Sequence, residues 1–137
     1  MFRWNMSMET GIDGIDHARR ALLEAMADFF QILDARDLNQ HLVAERTGQI
    51  FNAMKTAFTA ENEVLKAHPG EASDHHIASH AAYQLAYVDL CRKVVPKIKT
   101  QKQAQQICLE IYRMIDDGIF QHLKAEALDY RHLIKKV

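Results

Sequence analysis

The sequence predicts an all-α protein, an antiparallel up-down-up-down four-helix bundle preceded by an N-terminal arm. Three observations carry this. Apolar residues recur at threes and fours through four long stretches. The breaks between them are short and hold turn-forming residues, and no stretch of useful length alternates as a half-buried strand does. Four helices joined by short loops pack as antiparallel neighbours. A single domain over residues 1–137 is expected, because a chain of that length, 48% hydrophobic and 26% charged, can bury a core of its own.

The first helix is expected from about Asp16 to Ala35, where Ile15, Arg19, Leu22, Met26, Phe29, Phe30 and Leu33 form one stripe. After "DARDLN", in which Asn39 can cap, Val43, Ile50, Met54, Ala57, Glu61 and Val64 trace the second. "HPGEAS" breaks the pattern, with Ser73 as the expected N-cap of the third helix. That helix turns His76, His80, Tyr83, Tyr87, Leu90 and Val94 to one side before Pro96 ends it. The fourth begins soon after Thr100 and carries Ala104, Cys108, Ile111, Ile115, Ile119, His122 and Glu126 on its apolar side.

Composition narrows the function. A formal net charge of -1 offers no basic surface for nucleic acid. The opening "MFRWNMSMETGID" lacks the apolar run of a signal peptide, and no later stretch is long enough to span a bilayer, so a cytoplasmic location and no membrane partner are expected. Cys91 and Cys108 form no CxxC pair and read as two buried or half-buried free thiols on different helices. Eight histidines are the compositional oddity.

Polar residues on inward stripes lose their water and need partners. Glu61 falls near the end of the second helix, His76 and His80 near the start of the third, and His122 in the second half of the fourth. Antiparallel packing brings these levels together, with Arg19 at the same end. The spacing of four puts both imidazoles of "HIASH", His76 and His80, on one face. Three imidazoles and a carboxylate are a ligand set for Fe, Zn or Mn, and the donor types do not choose among them.

Plainer readings stand beside this one. An HxxxH pair on an amphipathic helix can be incidental, His122 can be a hydrogen-bonded core histidine, and Glu61 can simply pair with Arg19. The Arg19 guanidinium either neutralises and orients Glu61 or snorkels from the bundle end. Glu126 reads as a rim glutamate ahead of a ligand. His17, His41, His68 and His132 are expected at the surface, His75 off the motif's face, and the Met and Phe residues of the stripes in the core.

The opening "WNMSMETGIDGID", "FTAE", "HIASHAAY", and "HL" with Tyr130 further on resemble bacterial hemerythrins, over essentially the whole chain. The resemblance implies a four-helix bundle in which five histidines and two bridging carboxylates hold two irons that bind oxygen. His76, His80 and His122 match the three histidines of one iron, and Glu61 the bridging glutamate. The other half is missing. Arg19 stands where the family's I-D-x-x-H motif ends, Ala57 where a histidine precedes the glutamate by one turn, and Ala127 where the bridging aspartate falls. Glu126 beside it is a substitute ligand. Gly118 replaces a usual aromatic one turn before His122.

The expectation is therefore a non-heme centre, with one iron rather than two, that binds or senses O2, NO or peroxide in a pocket at Ile119 and Ala57. No protein partner can be named. An oxygen-binding di-iron protein with an altered second site and a metal-free bundle acting as an interaction module are the alternatives. Binding or sensing is favoured over catalysis, since no positioned acid or base is evident beyond Glu126.

Overall fold

The structure, a computed structural model, describes residues 3–135. The side chains of residues 128 and 132–135 lie outside the described part, and with them the expectation for His132. Every regular element among the described residues is helical: α1 (Asp13–Gln31), α2 (Gln40–Ala67), α3 (Glu71–Val94), α4 (Gln101–Met114) and α5 (Gln121–Lys135). A π-helical segment, Ile115–Phe120, joins α4 to α5 without a break, so these make up one fourth helix.

The N-terminal arm is held by its own sequence. Asn39-type capping recurs there in Asn5, whose side chain accepts from the Ser7 N–H to start a 3-10 turn over Met6–Met8. The turn seats Met8 in the core and packs on α5. "TGID" then closes a second turn: one Asp16 oxygen accepts from the Thr10 N–H and hydroxyl, both at 2.8 Å, and the other from the Gly11 N–H at 3.1 Å. Gly11, at φ 83°, supplies the left-handed residue this turn requires. Asp16 is thereby inside α1, which starts three residues before the expected boundary.

Two further ends behave differently from one another. Asn39 caps α2 as expected, accepting from the Leu42 N–H at 3.0 Å. Ser73 does not cap α3, which begins at Glu71 after the Pro69-Gly70 break; its hydroxyl instead donates to the His68 carbonyl at 2.7 Å and ties the loop to the helix. Pro96 does end α3, inside a 3-10 turn over Val95–Lys97. Thr100 opens α4 with a capping box to Gln103.

The main core runs along α1, α2 and the fourth helix through Leu22, Met26, Phe29, Ile50, Met54 and Ile111, all buried. A smaller cluster of Ile15, Leu65 and Tyr130 closes one end. Between the two, the start of α1, the end of α2, the start of α3 and α5 converge. Cys91 is half-buried and Cys108 buried; both are free, and burial pushes each thiol up to about 11. No helix among the described residues is long and apolar enough to cross a membrane.

Candidate metal centre

The polar residues of the inward stripes meet where the two apolar clusters adjoin. Glu61 and His80 are sealed and His122 is nearly so, while His76 and Glu126 are half-buried. One donor atom from each of the five falls within 4.8 Å of all the others. The fourfold spacing of His76 and His80 on α3, and of His122 and Glu126 on α5, turns each pair to the same interior. Glu61 enters from α2.

Each imidazole is aimed. The His80 Nδ1–H donates to Asn62 Oδ1 at 2.6 Å, and Phe58 stacks on the ring at 4.2 Å and 8°. That fixes Nε2 toward the cluster, the orientation a neighbouring oxygen commonly imposes on a metal-bound histidine. His76 lies edge-on to His80 and His122, with centroids at 4.6 and 5.4 Å. The Tyr130 hydroxyl stands 3.3 Å from His76 Nε2. Tyr83 meets His122 edge-on at 5.0 Å, and its ring lies where a side chain at Gly118 would point: a Cβ there would come 3.3 Å from Tyr83 Cε1. The space beside Gly118 is thus filled by an aromatic ring from α3.

The carboxylates differ. Glu61 Oε1 accepts from the Arg19 guanidinium at 2.7 Å and lies 3.7 Å from His80 Nε2. Arg19 is itself fully buried, donates to the Leu123 carbonyl at 2.9 Å, and sits over the Tyr130 ring at 5.2 Å. It pairs inward and does not snorkel. Glu126 Oε2 contacts His76 Nε2 and lies 2.9 Å from His122 Nε2. The rim placement expected for Glu126 is half right: its side chain is 21% exposed, yet the carboxylate belongs to the cluster.

Electrostatics keep the His80 nitrogen available. Burial first, then His76 and His122, pushes His80 down to about 3, so it stays neutral and keeps a lone pair. For Glu126 burial acts upward, but the hydrogen-bonding and charge of His122 and His76 outweigh it and hold the carboxyl at about 2. Burial and the nearby Glu61 carboxylate raise the Tyr130 phenol well above its usual value.

The donor set fits a metal ion. His80 Nε2 and Glu61 Oε2 are buried without a hydrogen-bond partner, and His122 Nε2 and Glu126 Oε2 have only one another and His76 to pair with, which is costly for groups sealed from water. A cation at their focus would satisfy them together. Neutral imidazole nitrogens mixed with carboxylate oxygens suit iron, zinc and manganese.

The other expectations divide. His17, His41 and His75 are exposed, whereas His68 is half-buried with Nδ1 3.0 Å from the Val64 carbonyl. Ile119 and Ala57 are sealed in the core. The opening is a cleft of about 750 Å³ on the other side, between α3 and α5, reaching His76, His122 and Glu126 past Ser79 and Tyr83. Asn62 and the space-filling role of Tyr83 were missed; only the position of Asn62 next to Glu61 hinted at it. No family model matches the chain, and no curated protein or solved structure matches it.

Proposed function

We propose that the chain is a hemerythrin-like metal-binding protein. Its helices form an antiparallel up-down-up-down bundle, and it holds one metal ion on His76, His80, His122, Glu61 and Glu126. The observation that carries this reading is the convergence of five donor atoms on one point, where His80 Nε2 and Glu61 Oε2 are buried and unpartnered. The antiparallel arrangement is supported by cross-helix bonds at both ends: Arg19 early in α1 reaches Glu61 late in α2, and Tyr87 late in α3 donates to the carbonyl of Thr47 early in α2 at 2.6 Å.

Iron is the first choice, with zinc or manganese as the other candidates. Bound there, the metal supplies a Lewis-acidic centre open to a small ligand such as O2, NO or peroxide, which the α3/α5 cleft admits. The chain's own residues do the rest. Arg19 holds Glu61, Asn62 and Phe58 hold His80, and Tyr83 walls the cleft beside His122. Arg19, Ala57 and Ala127 leave no ligands for a second ion at the places where the family has them. Binding or sensing, in the cytoplasm, is the proposed role.

Metal analysis per chain in freshly purified protein tests this. About one equivalent is expected, with loss of that equivalent in His80→Ala and retention of helical circular dichroism. Undiminished metal in His80→Ala would place the ion elsewhere and overturn the reading.

A further inference from the structure

Arg19 is fully buried, and its NH2 and NH1 groups are each committed, to Glu61 Oε1 and to the Leu123 carbonyl. A guanidinium cannot shed its proton at any accessible pH, so this charge is permanent. Solvent does not reach it to screen it. Glu61 still has Oε2 buried and unpartnered, so the carboxylate has capacity for a second cation besides Arg19. Resting on the metal-centre reading above, we propose that Glu61 bridges Arg19 and the bound ion, and that Arg19 makes the centre select divalent over trivalent metals.

The charge count shows why. Three neutral imidazoles, two carboxylates and one guanidinium leave the donor pocket with one net negative charge. A divalent ion takes it to one net positive charge, a trivalent ion to two. Each surplus charge is opposed by a cation only one carboxylate away, in a medium far less polarisable than water. Without Arg19 the same pocket would carry two negative charges and be neutralised by a divalent ion, leaving a trivalent ion only one in excess. Arg19 is thus a specificity-determining positioning residue, acting on the metal through Glu61.

The test uses two redox-inert ions that accept nitrogen and oxygen ligands, Zn(II) and Ga(III), the latter presented as its citrate complex. Their relative affinities are measured by competition in the parent, Arg19→Lys and Arg19→Gln. The parent should prefer Zn(II). In Arg19→Gln the preference should shift toward Ga(III) on the order of tenfold or more, while Arg19→Lys, which keeps the charge, should stay within about threefold of the parent. A role limited to packing would move both ions alike and leave the ratio unchanged in Arg19→Gln, which would overturn the proposal. If Arg19→Gln loses its helical circular dichroism, Arg19→Met is the second neutral variant. If neither folds, the order of the two ions in the parent decides: Ga(III) held as tightly as Zn(II) overturns the selection. Zn(II) that fails to bind, or that binds equally to His80→Ala, instead overturns the metal-centre reading itself.

Discussion

On one side of the three imidazoles Glu61 is fully buried and bonded to Arg19, whereas on the other Glu126 is 21% exposed, pairs with His76 and His122 and faces the cleft. The same chemical group therefore serves two ends. A sealed carboxylate needs a permanent counter-charge whether or not a metal is present, because its desolvation is not otherwise compensated. A carboxylate at a cleft can lean on water and on imidazoles. The dry side of the site is built for stability and charge, and the wet side for exchange with solvent.

The strongest way to break this comparison is to truncate each side in the metal-free protein. Arg19→Ala leaves Glu61 buried and unpaired and should cost about 3–5 kcal/mol, the usual penalty for breaking a buried ion pair. Glu126→Ala should cost less, on the order of 1–3 kcal/mol, since its side chain borders the cleft and it leaves behind imidazoles rather than an unpaired buried charge. Urea unfolding curves of the two variants measure this. Equal losses would show that the dry and wet sides are not energetically distinct.

Acid sharpens the contrast at a smaller scale. His80 sits at about 3 in the fold against an ordinary 6.5, so between those values the unfolded chain takes up a proton that the folded one refuses. Its contribution to stability is full above pH 6.5 and is lost as pH falls toward 3. Glu126, at about 2 against an ordinary 4.5, contributes above pH 4.5 and loses that as pH falls toward 2. Both act in the same direction, in windows that overlap below pH 4.5 but leave His80 alone above it. Metal-free protein should lose on the order of a few kcal/mol on acidification, with the His80 part first. Stability followed across pH in the parent and in His80→Gln checks this, and a slope between pH 6.5 and 4.5 that survives the substitution would assign the loss to another group.

How far the sequence foretells this asymmetry depends on what each residue's spacing encodes. His76, His80, His122 and Glu61 were legible because each breaks an apolar stripe, and a buried polar side chain implies a partner. The Arg19–Glu61 pair was legible as one of two alternatives, since spacing places the arginine's Cα but does not choose between a pairing head and a snorkelling one. The cleft was not legible, because spacing points to neighbours on the stripe such as Ile119 and Ala57, which are sealed, while an opening depends on which helices fail to close over Glu126. The π-helical segment was not legible at all. Hydrogen-bonded loops one residue longer over Ile115–Phe120 leave no signature in a pattern of threes and fours, yet they fix where Gly118 faces Tyr83.

The smallest expected effect separates Gly118 from Gly48, two glycines in helical backbone. A Cβ at Gly48 meets nothing within 4 Å, so Gly48→Ala should stabilise by about 0.5–1 kcal/mol through the helix preference of alanine alone. At Gly118 the same gain is set against a contact 3.3 Å from Tyr83 Cε1, tight enough that the ring must give by a few tenths of an ångström. Tyr83 is half-buried and borders the cleft, so it can yield outward, and Gly118→Ala should fall short of Gly48→Ala while changing stability by less than about 1 kcal/mol. The displaced ring is the one that meets His122 edge-on, so Gly118→Ala should also shift the d–d bands of Co(II)-loaded protein, which Gly48→Ala should leave untouched. Equal stabilisation by the two substitutions, with identical Co(II) spectra, would show that Tyr83 does not wall the wet side of the centre.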